Sequence, residues 1–239
     1  MAVRKLLAVT AMAVICFSDV GSVSVRKCKS DDHKCARQSA QELIPVIAAG
    51  IPEYQMEALD PIKLKKIDAS SPNLRLIVRD VIVTGIKDCT AKKIKRDKSK
   101  NNIFLQLLCS CQVEGQYEMK GQLLILPMEG KGPVHVTLRK AEFNVNLDVT
   151  EVKKGDVPYI EIKGWKHTFN LKDKSDVVFD NLFNGNEVLA QAAREVISQS
   201  GNEIILEVGG PVIKAVIDSI LHNIEKFFSH IPIEDLALD

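Results

Sequence analysis

Aromatic side chains are scarce in this chain, at 5% of residues with a single Trp, Trp165. So few rings exclude a stacking platform for single-stranded nucleic acid. Charge of one sign is lacking too: 32 Lys and Arg stand against 31 Asp and Glu, a formal net charge of +1. No global field draws in a polyanion, and no nucleic-acid partner is expected. Catalytic motifs are missing: there is no G-x-S-x-G, no H-E-x-x-H and no Walker loop. His33, His135, His167, His222 and His230 are scattered, without a nucleophile or carboxylate at motif spacing. Neither an enzyme nor a metal site is expected, and no cofactor is implied. N-x-[ST] sequons do not occur, so N-glycosylation is not expected.

Long apolar runs are few. Leu6 to Phe17 follows Arg4 and Lys5 and precedes the small residues Gly21, Ser22 and Ser24. That order reads as a secretory signal peptide over residues 1–22, with cleavage between Gly21 and Val25. The run is about a dozen residues, short of the roughly 20 that cross a bilayer. Residues 23–239 then read as one secreted, soluble domain, and the 46% hydrophobic content supplies a sizeable core.

Five cysteines follow the leader: Cys28, Cys35, Cys89, Cys109 and Cys111. Cys28 and Cys35 flank a short polar loop and are expected to pair in an oxidising compartment. A half metal site around His33 is the other reading of that spacing, but no second ligand pair follows it. If the next hairpin turns near Ser99 or Lys100, Cys89 lies opposite Cys109 or Cys111, which allows a second bridge. The odd count leaves one thiol unpaired.

What is present in quantity is alternation. Ile103, Leu105, Leu107, Cys109, Cys111, Val113, Gly115, Tyr117 and Met119 share one parity, opposite Gln106, Ser110, Gln112, Glu114, Gln116, Glu118 and Lys120. Period two sustained this long puts one face in oil and one in water. Further strands are expected from Asn73, over Val134 to Leu138 and Phe143 to Val149, over Tyr159 to Leu171, and near Val177 to Phe179. A parity switch at Arg79-Asp80 predicts a bulge. The stretch from Ile51 to Ser71 reads as irregular, and Gly130-Lys131-Gly132-Pro133 as a break between strands. Helices are expected over Cys35 to Ala49 and from Glu187 to His230, interrupted at Ser200-Gly201-Asn202 and at Gly209-Gly210-Pro211. Val212 to Ser229 carries an apolar stripe wider than one neighbour needs. Amphipathic strands beside so apolar a helix point to a sheet wrapped around it, with an oily interior.

Several blocks, in order, resemble the insect takeout and haemolymph juvenile hormone-binding family. They are Cys28-x6-Cys35, Gly50-Ile51-Pro52-Glu53, Ala58-Leu59-Asp60-Pro61, Val113 to Gly121, Leu124-Ile125-Leu126-Pro127, Gly130-Lys131-Gly132, Leu182-Phe183-Asn184-Gly185-Asn186 and the closing Phe227 to Leu236. No cysteine follows Cys111, which places the chain nearer the takeout branch than the strict hormone carriers. The resemblance implies an α+β fold in which a strongly curved antiparallel sheet wraps a long C-terminal helix around an internal apolar tunnel. It implies a monomeric carrier, secreted into haemolymph or another extracellular fluid. The ligand would be an elongated lipophile: juvenile hormone, an isoprenoid, a fatty lipid or a carotenoid pigment. The alternative is an extracellular signalling protein of the same fold in feeding, circadian or chemosensory output, without an exchangeable ligand.

The inward parities name the expected wall: Leu105, Leu107, Cys109, Val113, Tyr117, Val136, Phe143, Val145, Leu147 and Phe169, with Val216 and Ile220 from the helix. Tyr117, Tyr159, Ser110 or Thr137 would supply a hydroxyl. The basic run Lys92 to Lys100 marks a hairpin tip that could touch an anionic membrane or a receptor.

Overall fold

The structure of the protein is a computed structural model and describes residues 23–239. The signal-peptide reading falls on residues outside that range.

Helix α1 (His33–Ala49) opens where the Asp32 carboxylate accepts a hydrogen bond from the Cys35 amide at 2.9 Å, and it stops at Gly50. Seven strands follow: β1 (Ile62–Asp68), β2 (Leu74–Thr84), β3 (Thr90–Asp97), β4 (Asn102–Leu123), β5 (Leu126–Lys154), β6 (Val157–Leu171) and β7 (Asp176–Phe179). Helices α2 (Glu187–Gln199), α3 (Gly201–Val208), α4 (Gly210–His230) and the single turn α5 (Ile233–Leu236) complete the described residues.

All seven strands join one open sheet in the order β1-β2-β4-β5-β6, with β3 also on β4 and β7 also on β5. Every pairing is antiparallel. The hairpin β4–β5 is the spine, paired from Leu123↔Leu126 at its turn to Asn102↔Asp148 at its open end, with one register shift between Cys109 and Cys111. β2 lies on one half of β4 and β3 on the other. Strands of 22 and 29 residues far exceed the usual five or six and must coil. Helix α4 packs against both β1 and β6, the two ends of the strand order. The sheet is therefore rolled around the helix, as the alternation and the apolar stripe together require.

Two expectations change. The irregular stretch from Ile51 contains β1. The adjacent Lys65 and Lys66 break its alternation and, with Lys63, load it with charge, which keeps it from reading as a strand. They are the exposed charges that blunt a sheet edge, while Ile62 and Ile67 face the core. Second, Gly130 to Pro133 does not break the sheet: β5 runs straight through it. A Cβ on Gly130 would stand 2.6 Å from the Tyr117 hydroxyl, and one on Gly132 2.8 Å from the Asp180 carbonyl. These glycines leave room for the chain from β7 to cross close over β5, where Gly130 bridges Leu182. The real turn lies earlier, at Leu124 and Ile125, inside a run that reads as continuously apolar. The two interruptions expected in the apolar C-terminal quarter are present and divide it into α2, α3 and α4; Pro211 sits in the first turn of α4, where its missing N–H costs nothing. The bulge expected at Arg79-Asp80 is present, as a register shift between Arg79 and Ile82 with Asp80 at φ 51°.

Among the described residues two disulfides are formed, Cys28–Cys35 and Cys89–Cys109, and Cys111 is free and buried. The first ties the N-terminal segment to α1. The second joins the loop before β3 to β4, since Thr90 pairs Leu108 and the next residue pair then faces across the strands.

Candidate ligand-binding cavity

The space between roll and helix is not filled. A cavity of about 410 Å³ lies there, within the roughly 300–1,000 Å³ range of small-molecule sites. Strands β2 to β5 supply its curved wall, α1 one side, α3 a stop at one end and α4 the floor. The α4 residues in the wall run from Val212 to Phe228, about 24 Å of helix at ~1.5 Å per residue, so the chamber is elongated.

Ten of the twelve expected residues stand in this wall: Leu105, Leu107, Cys109, Val113, Val136, Phe143, Val145, Leu147, Val216 and Ile220. Tyr117 and Phe169 do not. Tyr117 shares the inner face of β4, but at its far end Phe179 packs edge-on against the ring at 4.9 Å and fills the space. Its hydroxyl donates to the Asp180 carbonyl at 2.7 Å. Burial, with the Asp180 charge, pushes that phenol up to about 12. Phe169 lies beside Phe143 across the β5–β6 pairing, ring centroids 6.4 Å apart, behind the lining residue.

The other proposed hydroxyls also point elsewhere. Ser110 is exposed, and its Oγ accepts from the Lys140 amide; Thr137 donates to Gln112 at 2.8 Å on the outer face. Tyr159 is not in the wall and lies beneath the Lys154 ammonium, 4.7 Å from the ring centroid. Trp165 packs beside His167 and under Lys214, outside the cavity.

Periodicity missed a large share of the wall. Helix α1 contributes Ala36, Ala40, Leu43, Ile44, Ile47 and Ala48, and β2 contributes Leu76, Val78, Val81 and Val83. The i, i+4, i+7 spacing of Ala36, Ala40 and Leu43 was the available signal. Among the described residues, polar side chains in the wall are confined to Arg26, Lys29, Ser30, Ser39 and Arg96. These gather at the end opposite α3, where the N-terminal segment runs beside the last residues: Cys28 bridges Ala237, and the Leu238 amide donates to the Cys28 carbonyl at 3.1 Å. Arg26 and Lys29 are exposed as well as lining, so the chamber reaches solvent there.

Deeper in, the Cys89–Cys109 bridge and the Cys111 thiol both face the cavity. Burial, and after it the Asp60 carboxylate, pushes that thiol up to about 12. Asn223 is the one polar side chain of α4 that is fully buried; its amide donates to the Glu57 carbonyl at 2.5 Å and accepts from the Glu57 amide at 3.3 Å. It pins the floor of the chamber to the segment before β1. Among the described residues no cluster of His, Cys, Asp or Glu could hold a metal ion, and no helix is long and apolar enough to cross a membrane.

An open antiparallel sheet rolled about a C-terminal helix, with an apolar chamber between them, defines a hollow α+β roll of the takeout type. The chain belongs to the family described as haemolymph juvenile hormone binding protein, whose model matches residues 6–238. The crystal structure of Epiphyas postvittana Takeout 1 superposes with a TM-score of 0.87 at 27% identity, covering 90% of this chain and all (100%) of that one. The circadian clock-controlled protein daywake of Drosophila melanogaster is 28% identical over 184 residues, 69% of this chain and 68% of that protein. A Schistocerca gregaria protein named "Putative beta-carotene-binding protein" is 26% identical over 114 residues, 46% of each chain.

Proposed function

We propose that the protein is a secreted carrier that takes an elongated lipophilic ligand into the chamber between roll and helix. The observation that carries this reading is the chamber itself: an unfilled volume of about 410 Å³ with an almost wholly aliphatic wall. Close-packed interiors leave few voids larger than a water molecule, so a hollow of this size asks for an occupant. Each methylene moved from water into it contributes about 0.8 kcal/mol. Ten give ~8 kcal/mol before association costs, so affinity rests on chain length and fit. Family membership and the name of the locust relative support a lipophile as the cargo. Two disulfides, which persist in oxidising compartments, support an extracellular site of action.

Native protein extracted from tissue, followed by mass spectrometry and an absorption spectrum of the extract, tests the proposal. A single class of greasy small molecule that exchanges with added ligand supports transport, and a visible chromophore selects a pigment. Protein that neither retains nor takes up any lipophile overturns it and favours signalling through the outer surface, in the direction of the clock-controlled relative.

A further inference from the structure

The wall of the chamber is neutral everywhere except at one end, and there its charge has one sign. Among the described residues, Arg26, Lys29 and Arg96 line it, with the hydroxyls of Ser30 and Ser39 and no carboxylate.

Arg96 is the decisive residue. It pairs with Ile103 across β3 and β4, two residues beyond the Ile94↔Leu105 pair, so it shares their inward face. Alternation would place an aliphatic side chain there. Its side chain is only 18% exposed, against 43–67% for Arg26, Arg75, Arg79, Arg139 and Arg194. A guanidinium carries five N–H donors in a planar fork. Among the described residues, one side-chain contact answers them, Nη2 to Glu151 at 3.5 Å. That is long for a charge-assisted bond, which normally closes to about 2.7–2.9 Å. Arg26, by contrast, is engaged by both oxygens of Glu42. Asp239, whose carboxylate feels the Arg96 charge, is itself held by the Ser30 amide and hydroxyl at 2.9 and 2.7 Å and stands outside the wall.

A sparsely bonded, largely buried guanidinium at the end of a hydrocarbon chamber is placed to take the head of an amphiphile whose tail fills the rest. We propose that the ligand is a long-chain carboxylate, seated tail-first toward α3 with its head group on Arg96 and within reach of Lys29. This rests on the carrier reading and narrows it: a neutral ester or a bare hydrocarbon would leave Arg96 with no carboxylate besides the long contact to Glu151.

The experiment compares hexadecanoate with its methyl ester, by displacement of a bound fluorescent lipophile from the full secreted chain. The two ligands share a tail and differ in head charge. The acid is expected to bind about tenfold more tightly, the effect of one charge-assisted hydrogen bond. Arg96→Gln should abolish that preference and Arg96→Lys should retain part of it. Equal affinity of acid and ester for the unaltered protein overturns the proposal while leaving the carrier function standing. So does a loss in Arg96→Gln that is the same for both ligands, which would assign Arg96 a structural role. Failure of both ligands to bind the unaltered protein overturns the carrier reading itself.

Discussion

Cys111 shows how far burial governs a single side chain. Its thiol faces a dry wall near the Asp60 carboxylate, and both push its ionisation upward, from the ordinary 9.0 to about 12. At neutral pH it stays a thiol and a poor nucleophile. Iodoacetamide should label it at least about tenfold more slowly in the native protein than in the unfolded chain, read by mass spectrometry. The raised ionisation also sets a sign for stability. Below pH 9 the thiol is protonated in both states and contributes no pH dependence. As pH rises from 9 toward 12 the unfolded chain releases the proton and the folded one does not, so stability falls. Tyr117 adds to the same alkaline loss above about 10. Melting temperatures across pH 8–11 should decline less steeply in Cys111→Ala. Asn223 is the second residue with a defined cost. Asn223→Ala strands the amide and carbonyl of Glu57 and should destabilise by about 2 kcal/mol in a urea melt.

At the scale of elements, the sequence was legible wherever period and solvent exposure coincide. The alternation from Ile103 to Met119 marks β4 and its inner face, and α2 begins at Glu187 behind its Asn186 cap as the pattern indicates. It was illegible where a neighbour outweighs local preference. Gly130, Gly132 and Pro133 are loop residues by composition, yet they lie in β5 because another segment needs the space above them. The lysines of β1 conceal a strand because an edge tolerates charge. Arg96 sits among the basic residues of the hairpin tip and looks solvated with them; only the register places it inside. Two predictions belong here. Gly130→Ala forces the Tyr117 hydroxyl off the Asp180 carbonyl and should cost about 2 kcal/mol; adding Tyr117→Phe, which removes the clashing oxygen, should recover part of it in a double-mutant cycle. Opening Cys89–Cys109, which closes a separation of 20 residues, by replacing both with Ala should cost about 3 kcal/mol in denaturant unfolding.

For the molecule as a whole, the chamber was legible as a consequence rather than as a site. Amphipathic strands plus one over-apolar helix imply a hollow or a core, and periodicity does not decide which. Ten of the twelve named wall residues line it, yet Tyr117 and Phe169 obey the same alternation and sit outside because Phe179 and Phe143 stand in the way. Filling the volume tests its role at this scale. Val216→Trp projects an indole from the α4 floor into the space and should weaken lipophile binding at least about tenfold, while the far-ultraviolet spectrum stays native.

The contact of α4 with both ends of the strand order makes the helix the seam of a tube whose circumference is written in backbone hydrogen bonds. Widening such a tube means parting a ladder or lifting the seam off β1 or β6; a guest of another length keeps its tail toward α3 and shifts only its head within the end beside Cys28 and Ala237. The protein should therefore be strict about the girth of what it carries and tolerant about reach: straight chains of different lengths compete for it, whereas a fused-ring sterol of equal oiliness is turned away.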